Sequence, residues 1–221
     1  MIPVAVLVVA KSPVPGQTKT RLAASIGNEA AAEIAAAALL DTLDAVAAAP
    51  VQSRVVALTG DLDEGCRCGE IRSALSNFTV IPQRGADFAE RLANAHADAS
   101  AATGGLAIVQ IGMDTPQVTG ELIGECAQVL TGRDAVLGMA SDGGWWVLGV
   151  SDAAMADCLR VIPTSRSDTG ALTLAALRDT GIDVGLVCEL TDVDTIDDVA
   201  AVRSACSPGG RFARVTQQAG V

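Results

Sequence analysis

Cations are concentrated in the first loop of the chain. Before Glu29 there is no acidic residue, yet the sequence carries Lys11, Lys19 and Arg21. In a chain with a formal net charge of −11, an acid-free segment with three cations predicts an anion-binding site. Arginine can bind two phosphate oxygens at once, and lysine binds as a point charge. Gly16 and the neighbouring prolines would bring backbone N–H groups close to such oxygens. A solvated basic loop is the alternative.

Aspartates follow the apolar segments at two later points. Residues 106–112 predict a buried strand, and Asp114 comes just after it. The carboxyl end of that strand would lie on the same edge of a sheet as the basic loop. Mg²⁺ and Mn²⁺ take oxygen ligands, often shared between carboxylates and substrate phosphates. Asp114 is therefore a candidate metal ligand, and a turn or capping aspartate is the alternative. Asp192 and Asp194 precede the final helix and are open to the same two interpretations.

A third segment combines an acid, two glycines and the only two tryptophans of the chain. Gly143 and Gly144 would let a ligand approach the backbone closely, and Asp142 could orient a sugar hydroxyl or assist the metal. An ordinary Asp-Gly hairpin turn explains the pattern equally well. Side chains of neighbouring strand residues point to opposite faces, so one of Trp145 and Trp146 would line a pocket while the other packs in the core. We assign Trp145, with the two glycines, to an acceptor or sugar pocket.

Apolar runs alternate with segments of helical spacing and predict an α/β fold, a mostly parallel sheet with helices on both faces. The predicted strands span residues 4–10, 51–59, 78–82, 106–112, 135–139, 145–150 and 184–188. Two predicted helices begin after Asn28 and after Thr119, and three span residues 65–77, 87–102 and 168–180. A last helix begins at a capping box formed by residues 195–198. Residues 11–24 are expected to form a loop. We expect a single domain over residues 1–206. Residues 207–221 are polar and weakly patterned, which predicts a loose C-terminal tail.

Composition and missing motifs exclude several classes of function. Aromatic residues make up only 2% of this acidic chain, which argues against a nucleic-acid partner. No stretch is long enough to span a bilayer, and the apolar run 2–10 is too short for a signal peptide, so we expect a cytoplasmic protein without a membrane partner. The six cysteines and one histidine form no zinc motif. Gly16 is separated from Lys19, so the loop is not a Walker motif, and no Gly-x-Gly-x-x-Gly follows the first strand.

Taken together, four segments resemble the bacterial GT-A-like transferases of the nucleotide-diphospho-sugar transferase superfamily. The segments are residues 10–22, 112–116, 142–144 and 192–195, and the resemblance runs from about residue 4 to about residue 202. Members were long classed as a family of unknown function, are often described as glycosyltransferases, and in some cases are linked to arsenosugar synthesis. The run Lys-Thr-Arg-Leu at 19–22 also resembles 2-phospho-lactate guanylyltransferase, and molybdopterin guanylyltransferases are more distant relatives.

The resemblance implies a GT-A-like, Rossmann-like sheet with a nucleotide bound beside the first loop. Lys11, Lys19 and Arg21 would hold phosphates, and Asp114 would bind Mg²⁺ or Mn²⁺ with Asp192 or Asp194. The expected function is a metal-dependent transferase that takes a nucleotide-sugar donor and a small-molecule acceptor, with Asp114 and Asp142 as its catalytic residues. A nucleotidyltransferase that joins an NTP to a small phosphorylated acceptor is the first alternative, and a nucleotide-binding module without catalysis is the second. The chain departs from the family pattern at Ala89, at Trp145-Trp146 and at Thr164.

Overall fold

The computed structural model describes all 221 residues. Its strands are β1 (Ile2–Lys11), β2 (Val51–Thr59), β3 (Thr79–Pro82), β4 (Ala107–Ile111), β5 (Ala135–Met139), β6 (Trp145–Val150) and β7 (Val184–Leu186). Its α-helices are α1 (Thr20–Ile26), α2 (Asn28–Ala48), α3 (Cys68–Leu75), α4 (Phe88–Ala102), α5 (Gly120–Leu130), α6 (Thr169–Asp179), α7 (Ile196–Ala205) and α8 (Arg211–Gln218). A 3₁₀ segment spans Ala153–Val161. No helix is both long and apolar enough to cross a membrane.

The seven strands form one sheet in the order β3-β2-β1-β4-β6-β5-β7. Neighbouring strands are parallel except where β6 pairs with β4 and with β5. Strand order reverses at β1, because β2 lies on one side of it and β4 on the other. In an open α/β sheet, the crevice at the carboxyl ends of such strands is where ligands bind. The predicted mostly parallel α/β sheet is confirmed.

Helices cover both faces of the sheet, and each face has its own core. Side chains of α2, α3 and α5 pack on one face with alternate residues of β1, such as Val6 and Val8. Side chains of α4, α6 and the 3₁₀ segment pack on the other face with Ala5 and Leu7. The apolar run in β1 is therefore buried on both sides, as expected for a central parallel strand.

Two local elements differ from the sequence-based expectation. Residues 20–24 of the predicted loop 11–24 are helical, because α1 begins at Thr20 and buries Leu22 in a third core with α2 and α7. The 3₁₀ segment was not predicted. It buries Ala156 and Leu159 against the face that α4 covers, and Asp152 caps its first turn.

The C-terminal residues do not form the predicted loose tail. Helix α8 packs on α2, and the side chain of Phe212 is fully buried. The carboxylate of Asp41, on α2, accepts hydrogen bonds from the backbone N–H groups of Arg211 and Phe212 at 3.0 and 2.8 Å. This cap comes from a residue 170 positions away, so the local sequence pattern of residues 207–221 did not reveal it.

Candidate functional site

A cavity of about 570 Å³ opens at the carboxyl edge of the sheet, where strand order reverses. The ends of β1 and β4 contribute to its lining, as do the loop before α1, the β5–β6 turn and the first turn of α4. Ligand cavities of a few hundred Å³ or more are typical of small-molecule sites in proteins. This cavity is therefore the candidate active site.

The basic loop is held in shape by its own hydroxyls. Buried Ser12 donates a hydrogen bond to the carbonyl of Asp61 at 2.7 Å, and Thr18 donates one to the carbonyl of Ser12 at 3.0 Å. Gly16 has a φ of +76°, which favours glycine, but it does not line the cavity. The ammonium of Lys11 donates to the carbonyl of Gln17 at 2.8 Å. The loop thus brings Lys11 and the residues after Gly16 to the cavity wall.

Lys19 joins the basic loop to the aspartates. Its Nζ atom lies 2.7 Å from Asp114 Oδ2 and 2.7 Å from Asp194 Oδ1, and only 10% of its side chain is exposed. Arg21 also pairs with Asp194. Burial by itself lowers the pKa of Lys19, but the two carboxylates outweigh it and raise that pKa well above its usual value. Burial likewise raises the pKa of Asp194, but Lys19 and Arg21 outweigh it, so the net pKa is lowered.

Three aspartates converge beside this ammonium group. One carboxylate oxygen from each of Asp114, Asp192 and Asp194 lies within 4.8 Å of the others. The backbone N–H of Val193 donates to the carbonyl of Asp114 at 3.1 Å, which fixes one segment against the other. Helix α7 begins with the predicted capping box, in which Asp198 accepts from the backbone N–H groups of Asp194 and Thr195.

Asp192 is the member of the cluster that lacks a cationic partner. Burial, followed by repulsion from Asp114, Asp142 and Asp194, raises its pKa to about 6. Lys19 and Arg21 compensate the other two carboxylates, whereas Asp192 makes no salt bridge. A set of hard oxygen ligands with uncompensated negative charge suits Mg²⁺ or Mn²⁺. The cluster can therefore hold a divalent metal ion.

The β5–β6 turn adds Asp142, Gly144 and Trp145 to the cavity wall. Asp142 Oδ1 accepts a hydrogen bond from the backbone N–H of Gly144 at 2.7 Å. Gly143 has a φ of +88°, and its carbonyl accepts from the N–H of Gly170 at 2.8 Å, but it does not line the cavity. Trp146 is buried on the opposite face and donates to the carbonyl of Cys188 at 2.8 Å. The segment is thus a hairpin turn that borders the cavity, with Trp145 on the cavity side and Trp146 in the core.

Most residues that the sequence singled out lie around one cavity, and Gly16 and Gly143 shape the turns behind it. Sequence reasoning missed Gln83, Arg91 and Gln110, which also line it. Gln83 donates through its side-chain amide to the carbonyls of Ala10 and Ala57 at 2.7 and 2.9 Å. Gln110 interrupts the otherwise apolar strand β4, and that polar residue was the available signal for it.

Comparison with solved structures identifies the fold. The structure matches a presumed nucleotide-diphospho-sugar transferase from Desulfovibrio desulfuricans G20 with a TM-score of 0.85 and 24% identity, over 99% of this chain and 95% of that one. It matches a nucleotidyl transferase from Methanothermobacter thermautotroptrophicus with a TM-score of 0.55 and 17% identity, over 96% and 98% of the two chains. Rv0371c from Mycobacterium tuberculosis H37Rv, solved in complex with manganese, matches with a TM-score of 0.55 and 18% identity, over 90% and 97%. The chain has the fold of nucleotide-diphospho-sugar transferases.

The family is identified from the sequence itself. Residues 42–166 match the family described as "Uncharacterized protein conserved in bacteria (DUF2064)". The match covers more than half of the chain, and the protein belongs to this family. Among the curated proteins, no match was found.

Proposed function

We propose that the protein is a metal-dependent transferase that uses a nucleotide-sugar donor and a small-molecule acceptor. The observation that carries this proposal is the group formed by Lys19, Asp114, Asp192 and Asp194 at the edge of the cavity. It combines oxygen ligands for a divalent cation with a basic side chain for a diphosphate, and Lys11 and Arg21 line the same cavity. The manganese complex of Rv0371c, which shares the fold, supports the same assignment.

In this proposal the chain acts mainly through positioning and electrostatics. The bond between the sugar and the diphosphate breaks while the acceptor oxygen forms a bond to the same sugar carbon, and the acceptor proton is lost. Negative charge builds on the departing diphosphate. Lys11, Lys19 and Arg21 would stabilise that charge, and a metal ion bound by the aspartates would supply further neutralisation.

Asp142 and Trp145 would act on the transferred sugar. The carboxylate of Asp142 is exposed to the cavity, where it can accept a hydrogen bond from a sugar hydroxyl or take the acceptor proton. The indole of Trp145 offers an apolar wall next to it. Gly144 leaves space for a ligand to approach the backbone of the turn.

A nucleotidyltransferase is the second candidate, and specific neighbours favour it. The Methanothermobacter protein is a nucleotidyl transferase, and CMP:2-keto-3-deoxy-manno-octonic acid synthetase, solved with CTP, matches with a TM-score of 0.51 and 11% identity. In that reaction the α–β bond of an NTP breaks and pyrophosphate leaves. The same cations and aspartates could serve it. If neither reaction occurs, the protein would be a nucleotide-binding module.

Product analysis separates the candidates. We would incubate the protein with Mn²⁺ and a panel of nucleotide sugars and NTPs, and assay for nucleoside diphosphate and pyrophosphate. The proposal predicts slow release of nucleoside diphosphate from at least one sugar donor, because water can replace the acceptor. Pyrophosphate from an NTP with no nucleoside diphosphate from any sugar donor would favour the nucleotidyltransferase instead.

A further inference from the structure

The cavity extends away from the aspartates into a second part, which we call the inner half. It lies on the sheet face that α4, α6 and the 3₁₀ segment cover. Its lining residues include Arg91, Leu92, Gln110, Trp145, Leu159 and Ile162, together with Thr169 and Thr173 of α6. Leu92, Leu159 and Ile162 are buried, so they give the inner half an apolar wall beside its polar residues.

Arg91 is a cation that lines the same part of the cavity as this apolar wall and has no acidic partner. Five basic side chains line the cavity: Lys11, Lys19, Arg21, Arg91 and Arg166. Lys19, Arg21 and Arg166 are paired with carboxylates, and Lys11 donates to a backbone carbonyl. Arg91, like Lys11, makes no salt bridge. Its one hydrogen bond runs from Nε to the carbonyl of Gly85 at 3.4 Å, and its side chain is half-buried. A guanidinium in this situation can bind a carboxylate or phosphate through two parallel hydrogen bonds.

Gln110, on β4, also lines the inner half of the cavity. Only 1% of this residue is exposed, and its Oε1 atom is buried without a hydrogen-bond partner. Buried polar atoms are nearly always paired in native proteins, and unpaired ones are costly. An amide that borders a cavity and lacks a protein partner can be satisfied by a polar group of a bound ligand.

We propose that the inner half is the acceptor subsite, and that it takes a small molecule with a short apolar body and one anionic group. Arg91 binds that anionic group, a carboxylate or a phosphate. The buried leucine and isoleucine side chains contact the body, and Gln110 hydrogen-bonds to a polar substituent on it. This assignment rests on the proposed transferase function, since the donor occupies the half that contains the aspartates.

Four simple probes test the subsite in the parent protein by calorimetry. Hexanoate and hexyl phosphate carry both the body and the anion, hexan-1-ol carries only the body, and acetate carries only the anion. We expect at least one of the two anionic hexyl probes to bind about tenfold more tightly than hexan-1-ol, and acetate to bind more weakly than hexanoate. The better of the two identifies the anionic group. Equal binding of the anionic probes and hexan-1-ol would overturn the proposal.

A matched pair of variants assigns the effect to Arg91. Arg91→Met removes the charge and keeps an apolar stem. In this variant the affinity for the better anionic probe should fall to about the affinity for hexan-1-ol. Arg178→Met is the control, because Arg178 is exposed on α6, makes no salt bridge and does not line the cavity. An unchanged preference in Arg91→Met would also overturn the proposal. If that variant does not fold, the parent comparison still decides.

A parallel titration keeps the two proposals apart. Nucleoside diphosphates with Mn²⁺ are titrated into the parent protein under the same conditions. If an anionic hexyl probe binds more tightly than hexan-1-ol but no nucleotide binds, the transferase proposal is refuted and the anion-binding subsite is retained. Nucleotide binding without anion-selective hexyl binding would refute only the subsite.

Discussion

At the scale of single residues, Lys19 lies between two proposed metal ligands. Its ammonium group therefore affects how tightly the site binds a divalent metal ion. Its ammonium group is 2.7 Å from both Asp114 and Asp194. It has a left-handed backbone, with φ 51°, at the start of α1. A backbone of this kind costs roughly 1–3 kcal/mol and persists only where the surroundings hold it. Because the ammonium group of Lys19 already contacts two of the three carboxylates, we infer that Lys19 and a divalent metal ion compete for them.

Lys19→Met tests this competition. Removal of the ammonium leaves Asp114 without a cationic partner, as Asp192 already is, and Asp194 paired only with Arg21. The melting temperature in a chelator should therefore fall, and the increase on adding Mn²⁺ should exceed that of the parent. Mn²⁺ affinity without nucleotide should rise about tenfold. The control is Lys11→Met, because the ammonium of Lys11 contacts only a backbone carbonyl. Weaker Mn²⁺ binding in Lys19→Met would instead mean that the lysine helps to organise the site.

His96 is buried in α4 with neither ring nitrogen hydrogen-bonded. Burial lowers its pKa to about 3, whereas a histidine in an unfolded chain has a pKa of about 6.5. Between these two values the unfolded state binds a proton that the folded state excludes. Stability is therefore lost as the pH falls through this window, and it is fully present above it.

The consequence can be measured with His96→Leu, because the chain has one histidine. Urea unfolding at pH 7 and pH 5 gives the stability of the variant and of the parent. When the pH is lowered from 7 to 5, the free energy of unfolding of the parent should fall by about 2 kcal/mol more than that of the variant. The reason is that the variant has no histidine from which folding must exclude a proton. Stability curves that remain parallel would show that His96 becomes charged in the folded protein.

At the scale of elements, the β5–β6 turn links the cavity to the N-terminus of α6. A Cβ added to Gly143 would lie 1.9 Å from the carbonyl oxygen of Ser167, and the φ of +88° also disfavours other residues. The glycine pattern predicted a hairpin, but this contact joins segments distant in sequence. The contact between Gly143 and Ser167 could therefore be found only from the three-dimensional structure.

Gly143→Ala should destabilise the protein by about 2–4 kcal/mol, because the clash adds to the cost of the left-handed backbone. Gly105→Ala separates the two contributions. Gly105 has a similar φ of +86°, but nothing lies within 4 Å of its added Cβ. We expect only about 1 kcal/mol for that control. Equal losses in the two variants, measured by denaturant unfolding, would contradict the contact between the turn and α6.

The elements that the sequence predicted well are those with strong local signals. The apolar strands β1 and β4 and the helices opened by Thr119 and Thr195 were found from runs of side chains and caps that neighbouring residues supply. The acid-free loop indicated Lys11, Lys19 and Arg21, but not that Lys19 and Arg21 would pair with aspartates. The Lys19 pairs join residues 95 and 175 positions apart and the Arg21 pair joins residues 173 apart, so only the fold brings them together.

At the scale of the whole molecule, α8 closes a third core that the sequence did not predict. Phe212 is fully buried there, in contact with the core formed by α1, α2 and α7. Phe212→Ala should cost about 3–5 kcal/mol in the free energy of unfolding. Phe88→Ala, at a residue that is 49% exposed, should cost much less. Similar small losses for both would restore the original expectation of a loose C-terminal tail.

The central claim is that the aspartates and the basic loop together bind a metal ion and a nucleotide diphosphate. A calorimetric titration of a panel of nucleoside diphosphates, with Mn²⁺ and with chelator, tests it in the parent, in Asp114→Asn and in Asp157→Asn. Asp157 is an exposed aspartate that pairs with Arg160 away from the aspartate cluster. We predict that Mn²⁺ strengthens nucleotide binding in the parent and in Asp157→Asn, and that Asp114→Asn loses about tenfold or more of that enhancement. Full Mn²⁺ enhancement in Asp114→Asn, or none in the parent, would contradict the account.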